Sequence, residues 1–275
     1  PGLAVAPYVD TCSAAISACE KGGQWALALA LLQSMPKLKV APNTISYSAA
    51  MSACEKGGQW QMALALLRSM AERRVDTNPT SCSVGIRACT SAEGNDLWLT
   101  ALDLFREIAD PDVASYNCVL DAVFDRPVGR PLFLEALDRG IYDGLGRWGP
   151  GTLDLHDLSW GAAVTAVLWW LSEAARQDPA HRRAWCRPRL TLITGWGRSR
   201  RVTRTQGLAN RDAVQMLLTC LGLDFRFAGL GALNVRASAV VSLPPPLAGS
   251  ASGPWRGLRS DARNPAGLRS EPPEW

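Results

Sequence analysis

Histidine is scarce in this 275-residue chain, with two in all, His156 and His181. Imidazole chemistry near neutral pH therefore has two places to occur, and only one of them stands in a motif. Long apolar runs are missing as well. A membrane-crossing helix needs about 20 consecutive apolar residues, and charged side chains interrupt every stretch before that length, so no membrane partner is expected. The eight cysteines include no CxxC pair, the spacing that most zinc sites are built on, and no metal ligand set is assigned. A disulfide scaffold belongs to short secreted chains, which this is not. Lysine is absent from residues 144–240, where 13 arginines stand against six carboxylates.

What is present suits a folded chain: 47% hydrophobic and 20% charged residues, too apolar for wholesale disorder. The formal net charge of +4 is unevenly spread. Residues 1–143 hold 12 Lys/Arg against 16 Asp/Glu, so the basic surplus sits in the second half. Concentrated arginine suggests phosphate contact through counterion release, the bland alternative being a solvated basic face.

Sliding the chain against itself exposes a repeat. Thr11–Met35 aligns with Ser46–Met70 at an offset of 35, Ser81–Cys89 begins the next copy, and Ser115–Val123 another at an offset of 34. A fixed period of this size marks a solenoid. Each unit reads as two helices. The first runs roughly Cys12–Glu20, with Ala15, Ile16 and Cys19 on one stripe. Gly22–Gly23 ends it, because glycine tolerates a left-handed exit. The second starts near Gln24 and spaces Trp25, Leu29, Leu32 and Met35 helically. Cys19, Cys54 and Cys89 recur at one repeat position, which reads as packing rather than bridging. The third unit has three extra residues, read as a longer turn at 94–96. The fourth, with Pro127 and Pro131, looks worn.

Pro42-Asn43-Thr44-Ile45-Ser46-Tyr47-Ser48 and Ala65-Leu66-Leu67-Arg68-Ser69-Met70 resemble the signature of the pentatricopeptide repeat family. The resemblance spans 8–143 and implies units of about 9–43, 44–78, 79–112 and a degenerate 113–143. Proteins of this kind read one base of single-stranded RNA per unit with two or three side chains. Carried over residue by residue, the resemblance pairs Ser13 with Asn43, Ser48 with Asn78, and Ser83 with Asp112. Asn117 opens a fourth pair. Ser/Asn pairs look like adenine readers and Ser/Asp like a guanine reader, implying A-A-G read 5′ to 3′. Serine and asparagine near a first helical turn also cap helices, and that alternative stays open. The pattern begins at Pro1 in mid-course, so further repeats and a targeting segment are expected upstream.

Beyond a Gly/Trp linker at 144–150 the texture changes. Gly151–His156 reads as a strand, Trp160–Arg176 as a helix behind Ser159, Arg189–Thr194 as a second strand, and about Leu208–Leu221 as a second helix. Phe225–Ala228 and Ala232–Arg236 close a β-α-β-α-β-β unit. The expected fold is an α-solenoid of helical-hairpin repeats followed by a small α/β two-layer sandwich at 151–238, with a disordered Pro/Gly-rich tail at 239–275.

Leu153-Asp154-Leu155-His156 and Thr194-Gly195-Trp196-Gly197 resemble the two signatures of the Smr (small MutS-related) domain. That resemblance implies an endonuclease-type site. His156 would transfer a proton with Asp154 orienting it. Gly195, Trp196, Gly197, Arg198, Arg200 and Arg201 would bind phosphate. Asp157 departs from the family, which has glycine after the histidine. A divalent cation such as Mg is the only cofactor such cleavage would call on. The resemblance implies RNA processing in a plastid or mitochondrion, by a monomer whose partner is single-stranded RNA. A non-catalytic RNA-binding factor and a protein-binding scaffold are the alternatives.

Overall fold

The computed structural model describes residues 8–92, 97–145, 151–176, 189–195, 204–229 and 231–236. The chain divides into two compact units, Pro1–Ala122 and Val123–Trp275.

The first unit is built from helical hairpins. Its elements are α1 (Val9–Lys21), α2 (Trp25–Ser34), α3 (Thr44–Lys56), α4 (Trp60–Glu72), α5 (Pro79–Ser91), α6 (Trp98–Arg106) and α7 (Val113–Val123), whose last residue crosses the division. Local sequence explains the starts. Asn43 accepts from the Ser46 N–H at 2.9 Å while Ser46 Oγ accepts from the Asn43 N–H at 2.9 Å, a reciprocal capping box. Asn78 and Ser81 repeat it at 2.8 and 2.9 Å. Such a box satisfies two helix-end donors at once. The exits lie at the glycine pairs, with the second glycine of each, Gly23 and Gly58, in left-handed geometry (φ 69° and 72°).

No hairpin buries its apolar stripe alone. α1 packs on α3, α3 on α5, and α2 and α4 on the first helix of the following unit. Ile16, Met35, Met51 and Met70 are fully buried in the shared core. The expected stripe holds, although Ala15, Cys19 and Trp25 are only half-buried. Cys54 and Cys89 are buried, and burial pushes both thiols up to about 11. Polar staples join successive units. Glu20 accepts from Ser52 Oγ at 2.8 Å and pairs with Lys56 at 2.7 Å, and one unit later Glu55 meets Arg87 at 3.5 Å. Burial alone would raise the Glu20 carboxyl, but the Lys56 and Ser52 contacts outweigh it and hold it below the usual range. The lengthened turn expected at 94–96 lies outside the described residues.

Trp25 lies against the backbone of the next unit. A Cβ added at Gly57 would stand 2.5 Å from Trp25 Cδ1 and 2.8 Å from its Cγ. Gly57→Ala should cost about 1–3 kcal/mol, the range for overpacking, although its φ of −81° suits any residue. Adding Trp25→Ala removes the clash, so urea denaturation should show the double variant losing less than the two single losses together.

The second unit contains α8 (Gly129–Asp138), β1 (Thr152–Asp154), α9 (Trp160–Arg176), β2 (Arg189–Ile193), α10 (Arg204–Cys220), β3 (Phe225–Phe227) and β4 (Ala232–Arg236). The sheet order is β1-β2-β4-β3. β1 and β2 run parallel, and the other pairs are antiparallel. Leu153, Leu190, Leu192, Leu233 and Val235 are buried while their strand neighbours are less so, the alternation of a sheet covered on one face. The buried faces of α9 and α10, which pack together, carry Val167, Leu171, Val214 and Leu217. The architecture is a helical repeat region followed by a small mixed sheet with flanking helices.

α8, read as the end of a fourth repeat, packs on α9. Its buried Phe133 ring lies 5.8 Å from Trp169, and Arg130 pairs with Glu173 at 3.8 Å. α10 begins near Arg204 and runs through Gly207, since one helical glycine costs only about 1 kcal/mol. β1 ends at Asp154 rather than His156. There the Asp154 carboxylate accepts the His156 N–H at 3.1 Å, and this Asx-turn bends the chain out of the strand.

Candidate nucleic-acid interface

Two groups of residues carry the chemistry, one in each unit. In the first unit, Ser13, Ser48 and Ser83 occupy equivalent positions on α1, α3 and α5, helices that pack in succession. Their expected partners stand at the helix starts. Ser13 Oγ donates to Val9 O at 2.9 Å and approaches Asn43 Oδ1 at 3.4 Å, so this pair meets directly. Asn43 and Asn78 are half-buried caps, and Asp112 caps α7, its Oδ1 accepting from Ser115 N at 2.8 Å and Ser115 Oγ at 2.7 Å.

Capping decides what each side chain can still offer. An asparagine whose Oδ1 is taken by the helix end keeps Nδ2, which only donates. An aspartate whose Oδ1 is taken keeps Oδ2, which only accepts. The residue type at this position thus sets the hydrogen-bonding sign shown to a ligand.

Ser13 is 4% exposed and Ser83 is buried as well, whereas the sequence reading left both open to a groove. Ser48 is half-buried, and its Oγ is a buried atom with no partner among the described residues. Asn117, in the fourth position, is half-buried and already engaged.

In the second unit, β1 and β2 run side by side with Asp154 opposite Ile193. Leu155 N donates to Ile193 O at 2.7 Å, which brings the turn after β1 to the end of β2. Gly195 closes against it. A Cβ there would stand 2.9 Å from His156 Cβ, and its φ of +76° is left-handed, so both space and backbone require glycine. From α10, buried Asn210 donates its Nδ2 to the Leu158 carbonyl and pins the far side of the turn.

Within this turn Asp154 Oδ1 lies 2.6 Å from His156 Nδ1. The Asp154 side chain is 7% exposed and the His156 side chain 49%. Asp154 thus fixes an imidazole whose other nitrogen faces outward, where Asp157 Oδ2 stands 2.9 Å from Nε2. Sequence reasoning noted the charge of Asp157 but missed this contact, which nothing in residue spacing announces. It also missed Ser46, Ser81 and Ser115 as capping partners. There a signal existed, an Asn or Asp followed three residues later by serine.

Trp196, Gly197, Arg198, Arg200 and Arg201 lie outside the described residues, as does the tail from 239. Among the described residues no His/Cys/Asp/Glu group is arranged to hold a metal ion, and no helix is long and apolar enough to cross a membrane.

Two solved structures similar to this chain are the pentatricopeptide repeat protein PPR10 in complex with an 18-nt psaJ RNA element, and the same protein with three cysteines replaced by serine, bound to that element. Each has a TM-score of 0.48 and 17% identity, covering 79% of this chain and 28% of that one. The chain thus spans little more than a quarter of their length. No curated protein matches it. Residues 10–40 and 45–75 match the PPR repeat family model.

Proposed function

We propose that the repeats bind single-stranded RNA, one base per unit, and that the second unit contacts the phosphodiester backbone and cleaves it. The observation that carries the first half is the recurring cap. Asn43, Asn78 and Asp112 each spend Oδ1 on a helix end and so keep a group of defined sign. Adenine offers an acceptor at N1, which an Asn Nδ2 satisfies. Guanine offers donors at N1 and N2, which an Asp Oδ2 satisfies. The family resemblance implies the reading A-A-G, with which these signs agree, the serine hydroxyls of Ser13, Ser48 and Ser83 adjusting to either edge. The unpartnered Ser48 Oγ is suited to such a ligand, since a buried hydroxyl without a partner is costly. Residues 1–143 carry more carboxylates than cations, so stacking and edge recognition supply this binding rather than long-range charge.

For the second half, Asp154 holds Nδ1 of His156 and thereby selects the tautomer and aims Nε2 outward. Nε2 is then the atom that moves a proton at the attacking or leaving oxygen. Gly195, with Trp196, Gly197 and the arginines Arg198, Arg200 and Arg201, would receive the phosphoryl oxygens. No step is routed through a metal. By the same family resemblance, the setting is organellar RNA processing.

The test is direct. Labelled RNA containing A-A-G should bind more tightly than a scrambled strand of equal length, and intact chain should shorten it. His156→Ala should leave binding unchanged and slow cleavage by about 100-fold or more, the scale of general acid–base catalysis. Cleavage by neither form, with selective binding intact, would favour a binding factor without catalysis. Equal affinity for scrambled RNA would remove base reading altogether.

A further inference from the structure

Among the described residues, Phe227 is the one exposed aromatic of the second unit, at 48%. Its place follows from the strand. β3 is the edge strand beyond β4, and its register sets Phe225 and Phe227 opposite Val235 and Leu233. Leu233 and Val235 are buried, so both rings belong to the apolar face of the sheet. Phe225 is half-buried, and Phe227, one pleat further along, emerges at the rim. The two rings meet edge-on with centroids 6.0 Å apart. From α10, Arg211 lays its guanidinium carbon 4.4 Å from the Phe227 ring centroid.

An arginine over a phenylalanine can serve as no more than a lid on an apolar ring. Here the lid is incomplete, since nearly half of Phe227 stays open to water. A ring already held by two neighbours loses little freedom when a flat partner stacks on it. Local charge narrows the choice of partner. Arg211, Arg226 and Arg236 stand against Asp212 and Asp224 in this part of the unit, and Arg226 and Arg236 are exposed. A positive rim suits a chain of phosphates better than an apolar peptide.

We propose that Phe227, steadied by Arg211, is a stacking platform for one unpaired base of single-stranded RNA. Every base has a π-face, so such a contact holds a strand without reading its sequence. A paired base keeps its faces inside the helix, which excludes duplex RNA as the occupant. The proposal rests on the reading that the second unit meets RNA, and it adds where that unit holds a base.

The experiment labels the phenylalanine rings of the full chain with carbon-13 and adds a short oligouridylate. The chain has five phenylalanines, and Phe227→Leu removes one set of ring signals and so assigns it. The Phe227 signals should move upfield, as the ring current of a stacked base requires, while those of buried Phe133 stay still. An abasic strand of equal length, which keeps the phosphates, should leave them unmoved. Phe227→Leu should weaken oligouridylate binding about five- to 150-fold, the range for one lost base–aromatic stack, and Phe227→Trp should restore it. Equal movement with the abasic strand would overturn the platform by reducing the effect to charge. Equal movement with duplex RNA would overturn it too. The His156 ring signals, assigned through His156→Gln, report separately on contact with this unit. A strand that moves them and leaves Phe227 still would overturn the platform and leave the RNA contact standing. A strand that moves neither would overturn both.

Discussion

Asn78→Asp is expected to turn the second reading position from adenine to guanine while leaving the repeats folded. Aspartate and asparagine cap helices about equally well, so the reciprocal bonds between residue 78 and Ser81 survive the change. The group left over changes sign. Asn78 keeps Nδ2, a donor, and aspartate there would keep Oδ2, an acceptor. A base edge met with the wrong sign typically costs about 1–3 kcal/mol, roughly five- to 150-fold in affinity. The variant should therefore prefer A-G-G over A-A-G by about that factor, measured by anisotropy with short labelled strands. Its urea midpoint should move little. A variant that loses affinity for every strand alike would mean that Asn78 shapes the helix end without meeting a base.

Tyr116→Ala should be the most damaging single change in the helical unit. Tyr116 is fully buried, and its ring meets Phe105 edge-on with centroids 4.9 Å apart. Truncating a large buried aromatic costs about 3–5 kcal/mol, much of the roughly 5–15 kcal/mol that holds a typical domain together. Repeats are stabilised mainly by their neighbours. The loss should therefore appear first where α6 meets α7, with the hairpins nearer the N-terminus opening later. Hydrogen exchange resolved along the chain would show this as early exchange in 98–123 and slower exchange in 44–72. Uniform loss of protection would instead indicate a single cooperative block.

Much of this fold is legible in the residues because local and tertiary preferences agree. The glycine pairs end helices where the 35-residue period requires a turn, and Trp160–Arg176 forms a helix with the bounds its apolar spacing suggests. Where the two preferences part, sequence reasoning stops short. The worn fourth unit gives no sign that buried Phe133 of α8 lies beside Trp169 of α9. The hydrogen bonds of Asp154 bend a segment whose residue types suit a longer strand. In the candidate sites, periodicity located Ser13, Ser48 and Ser83 at one repeat position. It did not reveal how far neighbouring helices bury them, because that depends on how closely successive units approach. Tyr8 stands one period before Asn43 and gives α1 no side-chain cap, so the first hairpin has a weaker start than the next two. The contact of Asp154 with His156, two positions later, matches the pairing that the Smr resemblance implied. Its second carboxylate, one position later, depends on the turn geometry alone.

The side-chain amides of Asn43 and Asn78 offer the most direct measurement. Their Nδ2–H signals are distinct in a nitrogen–proton correlation spectrum and can be assigned through Asn43→Asp and Asn78→Asp. Adding A-A-G RNA should shift both, scrambled RNA should shift neither, and Asn234 in β4 should stay still with either strand. Amide signals of Asn43 and Asn78 that ignore a tightly bound A-A-G strand would contradict the account, because the polar caps would then face something other than the bases.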